Sequence, residues 1–85
     1  MSSSVIVRFY AAARAAAGAP EVAVPAGTLA EVLTNCTAGP TGKALGQVLE
    51  RCSFLVDGAA VHGEHGDILI SAGSTLDVLP PFAGG

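Results

Sequence analysis

Two segments near the ends of the chain alternate hydrophobic positions with the period of a β-strand. In residues 5–10, Val or Phe occupies every second position, and Leu76 and Val78 do the same in residues 75–79. Because successive side chains of a strand point to opposite faces of a sheet, we expect one face of each segment to lie in a core. The other face of each strand is expected to lie away from the helices.

Shorter apolar segments predict further strands. Residues 21–24 form a strand that is closed by a proline and a glycine, and we expect them to pair with the first strand as a hairpin. Residues 54–56 are followed by Asp57-Gly58, a turn sequence that favours a second hairpin. Residues 68–70 are expected to pair only briefly.

A capping box and two apolar stripes predict two helices between the hairpins. Thr28 and Glu31 have the spacing at which each side chain bonds the other's backbone amide, so a helix should begin there. The two stripes repeat at spacings of three and four residues: Leu29, Val32, Leu33 and Cys36, then Leu45, Val48, Leu49 and Cys52. Gly46 weakens the second helix by about 1 kcal/mol relative to alanine. Residues 11–17 are expected to form only one turn within a connection.

The order of these elements predicts an α+β fold, a mixed sheet with one or two helices packed on one face. The first and last strands can then lie side by side in the middle of the sheet. In that arrangement, Tyr10 and Leu79 share the open face, near the point where the C-terminal segment leaves. An exposed apolar cluster of this kind is typical of a docking surface, although single apolar residues on a surface are also common.

The composition indicates one small domain without a deep pocket. The 85 residues are 51% hydrophobic and 13% charged, which is typical of a single globular unit. A chain of this length buries about 60–65% of the surface that it exposes when unfolded, enough for one modest core. We therefore expect no separate catalytic domain, and we expect any chemistry to be shared with a partner protein.

The net charge of −3 is unevenly distributed along the chain. Residues 1–51 hold every Lys and Arg together with three acids, whereas residues 52–85 hold four acids and no Lys or Arg. No basic stripe with interleaved aromatic residues occurs, which argues against a nucleic acid ligand. The acidic C-terminal part would suit a positively charged surface on a protein partner. Solvated loop acids explain the same charges equally well.

Other candidate sites and signals are weak. Cys36 and Cys52 lack CxxC spacing, and we interpret them as small buried hydrophobes rather than a disulfide or reactive thiols. Residues 62–67 contain two His and two acids, but a zinc site draws ligands from elsewhere on a scaffold, so a solvated turn is favoured over a metal site. Residues 1–4 do not resemble a secretory signal, and no apolar run could span a membrane, so we expect a cytoplasmic protein.

The sequence ends in Gly84-Gly85, directly after residues 79–83, Leu-Pro-Pro-Phe-Ala. Glycine enters narrow passages that a Cβ would close, and two consecutive prolines favour an extended backbone. We therefore divide the chain into a domain, residues 1–79, and an extended tail, residues 80–85. In the functional interpretation, the terminal carboxylate is the substrate of another protein's active site. A loose terminus is the alternative.

Four segments resemble one known family. Residues 7–14 (VRFYAAAR), 28–33 (TLAEVL), 54–58 (FLVDG) and 79–85 (LPPFAGG) are similar to the MoaD-like small subunit of molybdopterin synthase. That subunit is a sulfur carrier of the ubiquitin-like β-grasp superfamily, so the resemblance implies a β-grasp fold. The likeness covers nearly the whole chain, and its Pro-Pro-x-x-Gly-Gly ending is fairly specific. Gly-Gly alone would also suit thiamine-type (ThiS) carriers and other ubiquitin-like modifiers.

The resemblance implies a mechanism that other proteins catalyse. An E1-like (MoeB-like) enzyme with ATP and magnesium would adenylate the terminal carboxylate, and a sulfur donor would displace AMP to leave a thiocarboxylate. The large (MoaE-like) synthase subunit would then take the sulfur for a pterin precursor, in the synthesis of the molybdenum cofactor. The chain itself would bind no cofactor and would not be catalytic alone, but would be the small subunit of a sulfurtransferase when bound to the large one.

The resemblance also implies roles for individual residues. Gly85 would bear the sulfur, and Gly84 would be the spacer that lets the tail enter a tunnel. The residues that would fix the exit of the tail are Phe82, Pro81 and Pro80. The residues that would grip the large subunit are Tyr10, Ala60 and Leu79. Two alternatives stay open: a sulfur carrier for thiamine or cysteine biosynthesis, and a β-grasp interaction or regulatory module with an inert tail.

Overall fold

The described residues fold into a mixed five-stranded sheet with three helices packed on one face. The structure, a computed structural model, describes residues 4–39, 41–61 and 66–81. No helix among these residues has the length and apolar content needed to cross a bilayer. The elements in chain order are β1 (Ser4–Phe9), α1 (Ala11–Ala17), β2 (Glu21–Pro25), β3 (Gly27–Thr28), α2 (Leu29–Cys36), α3 (Gly42–Leu49), β4 (Ser53–Val56), β5 (Ala59–Val61), β6 (Leu69–Ile70) and β7 (Thr75–Leu79).

The first and last strands are neighbours in the middle of the sheet. The strand order is β2-β1-β7-β4-β5, with β1 and β7 parallel and the other neighbours antiparallel. β3 and β6 form a separate two-stranded sheet, as the brief pairing expected for residues 68–70 predicted. A helix-backed mixed sheet with parallel first and last strands at its centre is the β-grasp arrangement. The predicted α+β class and β-grasp fold are therefore confirmed.

The core lies between the helices and the inward face of the sheet. Val7 and Leu76 face each other across the β1–β7 pair, and both are fully buried. The alternation predicted for these two strands is confirmed, because every second residue of each strand is buried. The buried hydrophobic residues of the described chain are Val5, Val7, Phe9, Ala13, Val24, Leu29, Val32, Leu45, Leu49, Phe54, Ile70, Leu76 and Val78.

Helix α2 begins at the predicted capping box. The Thr28 hydroxyl accepts a hydrogen bond from the Glu31 backbone N–H at 3.2 Å, and the Glu31 carboxylate accepts one from the Thr28 N–H at 2.9 Å. These bonds favour the ionised carboxylate, so they lower the pKa of Glu31. Leu29 and Val32 bury the apolar face of the helix in the core. The local sequence therefore determines where this helix starts.

Helix α1 corrects the expectation of a single turn in residues 11–17. The segment is a seven-residue helix with Ala13 buried, and it packs against α3. Gly18 ends the helix in the left-handed region at φ 75°, and its N–H donates to the Arg14 carbonyl at 3.0 Å. A short helix gains most of its stability from tertiary packing. The length of the alanine run does not reveal that packing.

The second predicted helix and second hairpin are present, with one boundary shifted. Leu45 and Leu49 of α3 are buried, as the apolar stripe predicted, but the helix ends at Leu49 and leaves Cys52 beyond it. Asp57 and Gly58 join β4 to β5 with φ values of 50° and 87°. Two consecutive positive φ values are those of a type I′ turn, which the Asp-Gly sequence favours.

Candidate functional site

The open face is the side of the five-stranded sheet opposite the helices. Because side chains alternate along a strand and paired residues of adjacent strands share a face, the strand register identifies its members. One row across the sheet consists of Glu21, Arg8, Asp77, Leu55 and Ala60. The flanking positions on the same face are Ala23, Ile6, Thr75, Leu79 and Ser53.

Tyr10 and Leu79 lie at one end of the open face. β1 and β7 run in the same direction, and Phe9 pairs with Val78, so the residues that follow them are neighbours. Tyr10 is 39% exposed, and its hydroxyl donates to Asp77 Oδ1 at 3.3 Å. Leu79 is half-buried opposite Ser53. The structure thus places both side chains where strand alternation put them, and their role in partner binding stays a prediction.

Ala60 is exposed near the far edge of the open face, on β5. It pairs with Leu55, which pairs in turn with Asp77 of the central strand. Leu55 is half-buried and adds an apolar side chain to the open face. The sequence analysis did not place Leu55 there. Residues 54–56 are all apolar, so alternation could not show which of them points outward. The register of β4 against β7 provides that information.

An ion pair lies in the middle of the open face. Arg8 Nε donates to Asp77 Oδ1 at 2.8 Å, and Arg8 Nη2 donates to Asp77 Oδ2 at 3.4 Å. The hydrogen bond and the charge of Asp77 raise the pKa of Arg8, and Glu21 adds a smaller attraction. The Arg8 side chain is 48% exposed, whereas that of Asp77 is 13% exposed. The pair therefore presents its cationic end to solvent.

Sequence alternation alone does not predict this ion pair. It places Arg8 and Asp77 outward, but the two residues are 69 positions apart, and the β1–β7 register brings them together.

The ion pair also bears on the hypothesis that the acidic residues 52–85 bind a positively charged partner surface. Asp77 is bonded to Arg8, and Asp57 accepts a hydrogen bond from the Thr75 N–H at 2.9 Å. Two of the four acids of residues 52–85 are therefore engaged within the fold.

The C-terminal segment leaves the domain beside an open groove. Pro80 is buried and Pro81 is exposed, so the chain passes from the sheet to the surface over these two residues. Both prolines line a groove of about 550 Å³ between α1 and the end of α3, whose other lining residues are Ala12, Gln47, Val48, Glu50 and Arg51. Phe82, Gly84 and Gly85 lie outside the described residues, and their roles stay predictions.

The remaining candidate sites offer little chemistry. Most of the turn at residues 62–67 lies outside the described chain, and elsewhere no group of three His, Cys, Asp or Glu side chains could hold a metal ion. Cys36 and Cys52 are free and half-buried. Burial raises the pKa of Cys36 to about 11 and also raises the pKa of Cys52. A raised pKa favours the unreactive thiol, in agreement with their interpretation as small hydrophobes.

Solved structures share this fold over nearly the whole chain. Small archaeal modifier protein 1 from Methanosarcina acetivorans superposes with a TM-score of 0.80 at 25% identity, and the match covers 100% of this chain and 99% of that one. The same-named protein of Haloferax volcanii gives 0.79 at 22% identity, with 96% and 99% covered. A chain in the complex of subunits 1 and 2 of molybdopterin-converting factor from Helicobacter pylori 26695 gives 0.71 at 20% identity, with 96% and 99% covered.

The sequence comparisons agree with the fold. No curated protein sequence matches this chain significantly. The sequence profile of the ThiS family, however, matches residues 7–85, from the middle of β1 to the final glycine. The profile thus covers most of the central strands and of the open face, together with the tail. This chain belongs to the ThiS family.

Proposed function

We propose that this chain is a sulfur carrier and that Gly85 supplies the carboxylate that receives the sulfur. The profile match that extends through Gly85 supports this role. The observation that carries the proposal is the exit of the tail: the central strand β7 continues directly into Pro80 and Pro81, beside the open face. Because proline fixes φ, a tail that starts in this way leaves the sheet in a defined direction.

The chemistry requires activation by a second protein, because a carboxylate is a poor electrophile. An E1-like adenylating enzyme would use ATP and magnesium to join AMP to the Gly85 carboxylate, with release of pyrophosphate. A sulfur donor would then attack the acyl carbon and expel AMP, which leaves a thiocarboxylate. The role of this chain would be to present its C-terminal tail to the partner's active site. Gly84 lacks a Cβ, so the backbone could enter a narrow active site.

The destination that we propose for the sulfur is molybdopterin. The thiocarboxylate would enter the active site of a large synthase subunit and pass its sulfur to a pterin precursor. Two carriers would serve each pterin, because a dithiolene holds two sulfurs. The fold shared with a molybdopterin-converting factor complex supports this destination, as does the Pro-Pro-x-x-Gly-Gly ending. Thiamine or cysteine biosynthesis is the alternative destination for the same carrier chemistry.

The open face is the surface that we assign to the large subunit. Tyr10 and Leu79 combine apolar area with a position beside the exit of the tail, and Leu55 and Ala60 extend that area across the sheet. A partner that covers this face would hold the domain while the tail enters its active site. Partly exposed apolar side chains grouped in this way favour protein docking.

Mass spectrometry of the C-terminal peptide tests the carrier function. The chain is incubated with the E1-like enzyme of its own organism, ATP, magnesium and sulfide. The expected result is a mass increase equal to the exchange of one oxygen for one sulfur at Gly85. A chain without Gly85 serves as the control and should gain no sulfur. An unchanged mass, obtained with an adenylating enzyme that is active on another carrier, contradicts the proposal.

A role as a protein modifier is the second candidate. It is favoured by the 25% identity with small archaeal modifier protein 1 over the whole chain. In that role, the activated Gly85 carboxyl group would form an amide with a lysine of a target protein instead of receiving sulfur. Peptides in which a target lysine carries the C-terminal residues of this chain would support the modifier role. Their absence from cells in which the chain is thiocarboxylated would favour the carrier alone.

A further inference from the structure

The Arg8 guanidinium has hydrogen-bonding capacity that the fold does not use. Asp77 accepts from Nε and from Nη2. Among residues 4–39, 41–61 and 66–81, the side chain that accepts hydrogen bonds from Arg8 is Asp77, and Nη1 donates to none of these residues. The side chain is 48% exposed, so water satisfies these donors in the free protein.

Docking on the open face would remove that water. Within its row Arg8 lies between Glu21 and Asp77, and along the chain its neighbours on the open face are the apolar side chain of Ile6 and the ring of Tyr10. A purely apolar partner surface would cover the remaining N–H groups without offering acceptors. Leaving buried donors unpaired costs binding free energy, and more when the group is charged.

The two neighbouring carboxylates leave part of the Arg8 guanidinium without a hydrogen-bond partner in this structure. Asp77 already accepts from Arg8 and from the Tyr10 hydroxyl, and only 13% of its side chain is exposed. Glu21 pairs with Arg8 in the β1–β2 register, but no hydrogen bond joins the two side chains. A guanidinium favours a carboxylate as its partner, because the planar fork matches two oxygens.

We infer that a carboxylate of the large synthase subunit bonds the outward side of Arg8 when the open face is covered, so that Arg8 selects the partner. This inference rests on the proposed carrier function and adds a charged contact to the apolar contacts proposed for Tyr10, Leu55 and Leu79. The Asp77 carboxylate positions Arg8 for this contact from within the sheet. A protein with a wholly apolar surface at this point is disfavoured, because it leaves donors of the Arg8 guanidinium unpaired.

The double variant Arg8→Leu/Asp77→Leu tests this inference in titrations against the large subunit. The variant preserves the net charge, removes both members of the ion pair and makes the open face more apolar. We expect it to bind at least about tenfold more weakly than the native chain, because the partner carboxylate loses its cation. Binding should also become less sensitive to salt. The matched control is Lys43→Leu/Asp67→Leu, an equal charge change outside the open face, which should bind like the native chain.

Equal or tighter binding of the double leucine variant would overturn the inference, since a pair with only an internal role is replaceable by apolar side chains. If that variant fails to fold, Arg8→Gln replaces it, because glutamine keeps a donor for Asp77 while removing the cation. Binding of Arg8→Gln to the large subunit with native affinity would also overturn the inference. A loss of affinity confined to the adenylating enzyme also overturns it. If the native chain accepts sulfur but the Arg8 variants bind the large subunit as tightly as it does, the inference fails and the proposed function stands. If the native chain accepts no sulfur, the proposed function itself is contradicted.

Discussion

Asp57 and Thr75 exchange two hydrogen bonds of 2.9 Å: the Asp57 N–H donates to the Thr75 carbonyl, and the Thr75 N–H donates to the Asp57 carboxylate. This contact joins the β4–β5 turn to the first residue of β7, the strand that leads to the tail. Asp57 holds a positive φ of 50°, which aspartate tolerates better than most residues. The turn therefore helps to fix the central strand in its register.

Acid should weaken this contact. The hydrogen bonds from the Thr75 N–H and the Ser74 side chain lower the pKa of Asp57 in the folded protein. A lowered folded pKa contributes stability that is present above the unfolded pKa, about 4, and is lost as the pH falls through the folded value. We expect Asp57→Asn to melt below the native chain at neutral pH and the difference to shrink in acid. Thermal melts at pH values from neutral to acidic measure this difference in melting temperature.

Asp67→Asn is the control for the loss of one negative charge in this experiment. A constant difference between the native chain and Asp57→Asn across the whole pH range would show that the Thr75 contact does not depend on ionisation.

Gly42 and Gly46 lie one turn apart on α3, and the same substitution should have opposite effects at the two positions. A Cβ at Gly42 would collide with the Thr37 carbonyl oxygen, whereas a Cβ at Gly46 would meet only the Thr37 methyl group at 3.9 Å. We expect Gly42→Ala to destabilise the fold by about 1–3 kcal/mol and Gly46→Ala to stabilise it by up to about 1 kcal/mol. Chemical denaturation measures both, and equal effects would contradict the packing of α3 against Thr37.

Charged substitutions at Tyr10 or Leu79 should weaken binding to the large subunit. Leu79→Glu and Tyr10→Glu each place a carboxylate on the apolar end of the open face, and we expect at least about tenfold lower affinity from the loss of apolar contact. The matched control is Leu69→Glu, because Leu69 is a 77% exposed leucine on β6, outside the open face. Titration against the large subunit distinguishes them. If all three variants bind equally, the open face is not the interface.

Changes in the final two glycines should separate function from stability. Deletion of Gly85, or Gly84→Leu, is expected to abolish sulfur transfer because the tail would be too short or too bulky for the partner's active site. The melting temperature should stay nearly constant, since neither residue is expected in the core. Gly39→Leu is a control, because a Cβ there would meet no atom within 4 Å. Sulfur transfer at the native rate by Gly84→Leu would argue against a narrow passage.

Cys36 should react slowly with alkylating reagents at neutral pH. Burial raises its pKa to about 11, so the reactive thiolate is scarce in the folded state. Mass spectrometry after timed alkylation, with and without denaturant, measures the protection. Equal rates in the two conditions would mean that the thiol is accessible, and would reopen a redox role for this residue.

Local patterns in the sequence determined much of the fold. The alternation around Val7 and Leu76 identified two strands with one buried face, and the Thr28–Glu31 spacing identified the start of α2. Asp57-Gly58 identified the tight turn. Each of these features depends on residues within a few positions of one another, so backbone sterics and local hydrogen bonds are sufficient to predict them.

The tertiary structure alone decided the features that join distant segments. The parallel register of β1 and β7 creates the Arg8–Asp77 pair, and the antiparallel register of β4 and β7 places Leu55 on the open face. The packing of α1 on α3 makes residues 11–17 a complete helix. These contacts join residues that are far apart in the chain, and their energies depend on how the whole core packs. No local pattern contains that information, so sequence reasoning could place Arg8 and Asp77 on a face but could not bring them together.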